Sequence, residues 1–443
     1  MINPFVTSDG SFNRETNLMT SSTKPPSYYE ATAIGRIDRP PLDGDARADV
    51  CVIGGGYTGV SAALHLAQAG RKVILIEAER VGWGASGRNG GQLHSGQRLD
   101  QEELERWLGE GPARALFDLA EEAKQLVKGL IAEHGIACDW QDGLIGTLHK
   151  RRFVAGTRAH VAHMMERYGY AGLAYLDRDE LAAAIGTTRY HGGYRDATAG
   201  HLHPLNFALG LALAAERAGV TIHEGTRALD ISGQGPMRVT HARGTIIADD
   251  VLVAVNGYTS GLLPDTEARV MPIHNYILAT EPLGDRGRRL IPGNEAVADS
   301  RFVVHYWRPS ADGRLIFGGG ESYSKDFPND LKGFVRRHML SVYPDLADVR
   351  IDFAWGGTLA LTRTKMPVMR RIRPGLYTSG GYQGHGVAIA ALAGKLVAEA
   401  MVGDSSRFDL FANLPAPKFP GGRWLRYPTL VLAMFWYGML DRL

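Results

Sequence analysis

Cysteine is nearly missing from this chain: there are two in 443 residues, Cys51 and Cys138. That excludes a disulfide framework and makes a reducing cytoplasm the expected compartment. An excess of either charge is missing as well. Lys and Arg number 49 and Asp and Glu 47, a net charge of +2, so neither a nucleic-acid partner nor an acidic one is predicted. No apolar run approaches the ~20 residues of a membrane-spanning helix. The stretch "TLVLAMFWYGML" at 429–440 is too short and reads as a tail helix docked on the protein's own surface. Because Arg423, Arg426 and Arg442 flank it, peripheral membrane contact through 428–443 stays open as the alternative. Residues 1–27 are polar, lack the apolar core of a signal peptide, and read as a flexible segment in which Met19 is a second candidate initiator. What is left is ordinary. A composition of 44% hydrophobic and 22% charged residues suits a globular protein of two or three domains.

Against that background one arrangement carries information. "DVCVIG" at 49–54 is a short β-branched run that ends in glycine and reads as a buried strand. "GGGYTG" follows and satisfies G-x-G-x-x-G with Gly54, Gly56 and Gly59. An Ala-rich helical stretch, "GVSAALHLAQAG", leads to a second strand, "KVILIE", ending at Glu77. Strand, glycine turn, helix, strand and acid in that order form the dinucleotide-binding unit. Gly54 makes the tight turn, Gly56 lets backbone amides approach a pyrophosphate, and Gly59 lets helix pack on strand. The helix N-terminus adds partial positive charge for the phosphates. Glu77 is placed to accept hydrogen bonds from ribose hydroxyls and to repel a 2′-phosphate.

Four residues beyond Glu77 begins "VGWGASGRNGGQLHSG" (81–96), rich in glycine and poor in core formers. A loop leaving the second strand there is aimed across the pyrophosphate toward the far half of the cofactor. No second G-x-G-x-x-G is set between a strand and a helix: "GWGASG" at 82–87 lies inside this loop, and "GGGESY" at 318–323 lacks the last glycine. One unit near the N-terminus suits FAD reduced directly by a substrate better than a flavoprotein reduced by NAD(P)H.

These strings, with "GHLHPLNFA" (200–208), "VLVAVNGYTS" (251–260), "HNYILATEPL" (274–283), "RLIFGGGESY" (314–323) and "GGYQGHGVAIAALAGKLVAEAMVG" (380–403), resemble the D-amino acid oxidase and sarcosine oxidase superfamily of flavoenzymes. Within it, "GASGRNGGQ" is similar to the γ-glutamylputrescine oxidase group. The resemblance implies an α/β fold, α+β overall: a Rossmann-type FAD-binding domain with a discontinuous substrate domain built on a mainly antiparallel sheet. It would place 47–95, 196–265 and 360–413 in the FAD-binding domain, 96–195 and 266–359 in the substrate domain, and 414–443 in a C-terminal tail with a short apolar helix.

The same resemblance assigns cofactor contacts. Gly54, Gly56, Tyr57, Thr58 and Gly59 would lie on the pyrophosphate, with Glu77, Ala78 and Arg80 toward the ribose. Ser86, Gly87, Arg88, Asn89, Gly90, Gly91 and Gln92 would run along the cofactor to its flavin. Ala228, in "TRALDI", would meet the adenine, and Gly257, in "AVNGYT", would lie beneath the pyrophosphate. Gly381, Tyr382, Gly384, His385, Gly386, Val387 and Ala388 would meet the flavin pyrimidine edge, where amides of a helix start stabilise negative charge. His385 reads as a loop residue rather than a catalyst. FAD is expected to be non-covalent, because the cysteines lie at 51 and 138.

The implied chemistry is removal of a hydride equivalent from the carbon next to an amine nitrogen, with O2 as acceptor and H2O2 as product. The small-molecule amine must first lose a proton from a group of pKa roughly 10, so a desolvating, aromatic lining is expected. His305, Tyr306, Trp355 and Tyr276 are the catalytic candidates, with His274 and Trp307 as further lining. Strand alternation sends His305 and Trp307 to the face opposite Tyr306. Arg88, Arg308 and Arg363 are candidates for a substrate carboxylate. Transfer of electrons to a membrane quinone, and a non-catalytic flavoprotein subunit, are the competing readings. No metal site is expected: His160 and His163, and the pair in "HLH" at 201–203, lack a nearby set of Cys, Asp or Glu.

Overall fold

The computed structural model describes residues 26–259, 261–322 and 327–421. The expectations for residues 1–25 and for the 428–443 tail fall outside that set. The last residue of the expected flexible segment, Ser27, is fully buried and caps helix α1 (Tyr28–Ala31).

Strand β1 (Val50–Ile53) buries all four of its residues, as a strand covered on both faces must. It leads through the glycine turn into helix α2 (Tyr57–Gln68) and back into strand β2 (Val73–Ile76). β1 pairs in parallel with β2 on one side and with Asp250–Val253 on the other. The full order is Val368–Arg373, Leu376–Gly380, Asp250–Val253, β1, β2, Thr221–His223. Chain connections leave β1 in opposite directions, so the crevice beyond its carboxyl end is the topological switch point where such sheets bind ligands. Residues Gly54–Gly56 occupy that crevice. A small four-stranded sheet, which includes Ala228–Ser232, lies beside it.

The second large sheet has nine strands and is mainly antiparallel. Strands β3 (Met271–Thr280), β4 (Tyr306–Pro309) and β5 (Leu315–Ser322) form part of it. Helix α3 (Leu331–Val342) covers its outer face, and strand β6 (Ile351–Leu361) pairs with β3 along ten residue pairs at the sheet edge. The other face turns toward the first domain: Ile277, Ile316 and Trp355 belong to the same apolar core as β1, α2 and helix α4 (Gly386–Met401). Gln92–Leu93, just before the boundary drawn at 95, is a strand of this sheet, paired with Gly193–His201. The flavin loop is therefore held at both ends, by the parallel sheet at Glu77 and by the antiparallel one at Gln92.

Candidate active site

One helix N-terminus follows directly on the glycine turn, and a second helix packs against it. Gly54 has φ +114°, where a side chain is strained, and its amide donates to Ile76 O at 2.8 Å. α2 then starts so close to β1 that a Cβ on Gly59 would stand 2.0 Å from Gly54 O. The N-cap, Gly56, has no side chain to cap the first turn, and the one paired amide there, Tyr57 N, donates to Ser86 Oγ at 3.0 Å. α4 begins after Gly381, Tyr382, Gly384 and His385, again with no side-chain cap on its first amides. Val387 and Ala388 bury their side chains there, while the position of Gly384 is open around it. The two helices touch: a Cβ on Gly394 would lie 2.4 Å from Thr58 O. The Tyr382 hydroxyl bonds Thr58 Oγ1 at 2.6 Å and Ser379 Oγ at 2.8 Å. Burial pushes that phenol up to about 12, so it stays a neutral cross-link. On the neighbouring strand end, Gly381 N donates to Asn256 Oδ1 at 2.9 Å, beside Gly257.

Glu77 closes the crevice. Its Oε2 accepts from Gly55 N at 2.7 Å and its Oε1 from Glu79 N at 2.8 Å. Burial raises its pKa above the ordinary carboxylate value, against those two amide bonds. The chain before Ala228 runs alongside, with Thr226 N donating to Glu77 O at 2.7 Å. Ala78 is half-buried and Arg80 exposed. Arg80 lines a cleft of about 480 Å³ behind the loop, with Glu30, Arg36, Trp83 and Arg88. These donors fit FAD. Uncapped amides at two helix N-termini suit its pyrophosphate and the negative edge of its flavin. Each Glu77 oxygen holds one N–H and keeps lone pairs for ribose hydroxyls.

The loop between Glu77 and Gln92 is cross-braced. Asn89 Nδ2 donates to Ala85 O and Ser86 O, both at 3.0 Å, and its Oδ1 accepts from Gly91 N at 2.7 Å. Gly87 and Gly91 sit where a Cβ would meet Gly82 O at 2.2 Å and Leu202 O at 2.1 Å. A Cβ on Gly90 would lie 2.6 Å from the Tyr306 ring. Within the loop, the side chains of Arg88 and Gln92 bond protein. Arg88 donates to Trp83 O, Gly356 O and Glu30, and Gln92 Nε2 donates to Val297 O at 2.9 Å and Trp307 O at 3.3 Å. Both are buried polar groups and need such partners.

The nine-stranded sheet separates the four catalytic candidates. Tyr306 and Trp355 lie on the face toward the loop; Tyr276 and His305 lie on the face toward α3, with Trp307. The period of two along each strand imposes this split. Tyr276 packs against Phe327 and Phe334, and His305 Nε2 is 3.1 Å from His338 Nδ1. Burial holds His305 down to about 3, so it is neutral at working pH. His305→Gln is accordingly expected to leave the pH profile of turnover unchanged from about pH 5 to 9, as a set of initial rates will show. On the loop face Trp355 Nε1 donates to Arg88 O at 3.1 Å. The Tyr306 hydroxyl donates to Asn275 Oδ1 at 2.5 Å. Asn275 was not among the sequence candidates; its signal is a polar residue on the face shared with Ile273 and Ile277.

His385 has a neighbour that sequence did not pair with it. His94, just past the loop, packs against it with tilted rings whose centroids are 4.7 Å apart, and burial lowers the pKa of both. Ser95 next to it accepts from Lys124 Nζ at 2.5 Å; Lys124 is fully buried and also bonds Tyr170, Thr198 and Glu121. Of the three arginine candidates, Arg308 donates to Gly90 O, Pro309 O and Tyr29 Oη, and Arg363 to Lys418 O. His160 and His163, read as lacking carboxylates, each have one: Glu102 at 2.9 Å and Glu105 at 2.9 Å. These are separate helix–helix pairs, formed by residues about 58 positions upstream. His203 caps the helix Pro204–Arg217, and His201 bonds Asn294 O.

Comparison with known proteins agrees with this geometry. Residues 49–400 match the family described as DAO, FAD dependent oxidoreductase. The chain is 46% identical to "Probable oxidoreductase OrdL" of Rhizobium meliloti, over 94% of this chain and 97% of that one. It is 39% identical to "Gamma-glutamylputrescine oxidoreductase" of Escherichia coli, over 96% and 100%. Among solved structures, glycine oxidase from Geobacillus kaustophilus superposes with a TM-score of 0.69 at 20% identity, over 81% of this chain and 95% of that one.

Proposed function

Because the chain belongs to the DAO family of FAD-dependent oxidoreductases, we propose that it oxidises an extended amine of the γ-glutamylputrescine kind and passes the electrons to O2. The balance is amine, O2 and water giving aldehyde, ammonia and hydrogen peroxide. Bound FAD supplies the two-electron acceptor. The chain's own residues bind and orient. The observation that carries the reading is Tyr306, whose ring lies over Gly90 of the flavin loop on an apolar face with Trp355, Ile277 and Ile316.

An apolar wall disfavours the ammonium form, so the amine sheds its proton before reacting. Tyr306 gives its own hydroxyl proton to Asn275, so toward a substrate N–H its phenol oxygen acts as an acceptor and not as a donor. Asn275 fixes that orientation through its amide, which also donates to Gly320 O at 3.4 Å. Tyr306→Phe is expected to lower kcat/KM about tenfold, the worth of one hydrogen bond to a reacting group. Asn275→Ala should add little to it, because both remove the same contact. The full-length likeness to the γ-glutamylputrescine enzyme supports the substrate class.

The test is anaerobic mixing with γ-glutamylputrescine, sarcosine or D-alanine while the 450 nm region of the FAD spectrum is followed. Bleaching by the first alone, reversed by air with release of hydrogen peroxide, is the expected result. Faster bleaching by sarcosine or D-alanine overturns the substrate reading. Bleaching that persists in air but reverses with a soluble quinone overturns the choice of acceptor.

A further inference from the structure

The stretch before the family-matched residues reaches the flavin loop at two points. α1 is only four residues long, yet a reciprocal pair fixes it: Glu30 N donates to Ser27 Oγ and Ser27 N to Glu30 Oε2, both at 3.1 Å. Glu30 is then left with Oε1, which accepts from Arg88 Nη2 at 3.2 Å. Tyr29 is fully buried, edge-on to Trp355 at 5.1 Å, and its hydroxyl accepts from Arg308 Nη2 at 3.2 Å. Arg308 Nε in turn donates to Gly90 O at 2.8 Å, and Trp355 Nε1 to Arg88 O. The rest of the segment is stitched down as well: Arg39 grips Glu216 with two bonds of 2.8 Å.

The geometry points to residues Tyr29 and Glu30 as positioning residues that set the flavin loop for FAD. Two loop carbonyls are held from outside the loop, that of Arg88 by Trp355 and that of Gly90 by Arg308, the partner of Tyr29 in this N-terminal arm. In a trans peptide the N–H stands opposite the carbonyl, so the amide of Asn89 is turned away from Trp355. Without the arm, Arg308 loses the tyrosine that orients its guanidinium, and Arg88 is a buried cation without its carboxylate. Such a group seeks a new partner rather than staying put. The arm acts on the cofactor through Arg88 and Arg308, and touches neither substrate nor reacting atoms.

The test uses the full chain, stripped of FAD and titrated with it, so that it stands apart from the identity of the substrate. Tyr29→Phe, which keeps the ring and removes the hydroxyl, and Glu30→Gln are each expected to raise the FAD Kd about tenfold and to change the visible circular dichroism of the bound flavin. The FAD-free protein should also melt somewhat lower in Glu30→Gln, where a buried ion pair is broken, so Kd and dichroism carry the reading. Adding Glu30→Gln to Arg88→Met should change the Kd no further than Arg88→Met alone. The proposal fails if the FAD-free melting temperature falls while Kd and dichroism hold, since the arm is then only a brace for the fold. It also fails if the two substitutions add.

Discussion

Gly59→Ala is expected to give a protein that leaves purification colourless. The added Cβ would stand 2.0 Å from Gly54 O and 3.2 Å from Val52 Cγ1. The first of these is backbone in the tight turn at the end of β1, so no side chain can swing aside. α2 would have to lift away, but its other flank is closed too. Gly394 of α4 already brings that helix within a Cβ's 2.4 Å of Thr58 O and 2.7 Å of Ala62 N. Overpacking in a well-ordered core costs typically 1–3 kcal/mol, and here it falls between two backbones. A shift of α2 by even part of an ångström also parts Thr58 from Tyr382 and moves the helix N-terminus from the switch point. FAD affinity should therefore fall at least a hundredfold, read as loss of the 450 nm band after gel filtration. Gly394→Ala should do the same in milder form. A yellow, fully loaded Gly59→Ala protein would show that α2 has slack that the contacts do not display.

Much of this was legible in the primary structure, for a physical reason: the cofactor-binding unit is local. Gly54, Gly59 and Glu77 lie within 24 residues, and each has a spacing dictated by one turn, one helix and one strand. The fold class and the FAD requirement follow from them together with the family resemblance. Alternation likewise separated Tyr306 from His305 and Trp307 along β4. Which face pointed at the loop was not legible, because that depends on α3 covering the opposite one. Asn275 was hidden for the same reason: its pairing with Tyr306 joins two strands 31 residues apart. The arm was the least visible part. Tyr29 meets Arg308 across 279 positions and Glu30 meets Arg88 across 58, and a polar N-terminal stretch shows no period that would announce either contact. The sequence offers Arg88 and Arg308 as candidates for a substrate carboxylate but shows nothing of their bonds to Trp83 O, Gly356 O and Glu30, and to Gly90 O, Pro309 O and Tyr29.

Glu77→Ala is expected to weaken FAD binding by about a hundredfold, and the pH dependence of the wild-type protein should reveal why. The substitution removes the acceptor for ribose hydroxyls and also strands two amides, Gly55 N and Glu79 N, that Glu77 now satisfies. A buried donor left unpaired costs about 1–3 kcal/mol, so the lost contact and the stranded amides easily reach a factor of one hundred. In the FAD-free protein burial raises the Glu77 pKa above its ordinary value. The folded state then holds the proton more tightly than the unfolded chain does. Its contribution to stability is largest below the unfolded pKa and declines as pH rises through the folded one. Ribose hydroxyls donate to the ionised carboxylate and favour it. FAD should thus bind more tightly as pH rises through the raised pKa, become independent of pH above it, and release a proton on binding below it. Titration calorimetry in buffers of different ionisation enthalpy measures that proton directly. Glu77→Gln, which keeps one acceptor oxygen but cannot titrate, should bind about tenfold more weakly than wild type with no proton released. A wild-type protein whose FAD affinity is flat through the acid range would mean that Glu77 stays ionised in the empty site, and that its amide bonds outweigh its burial.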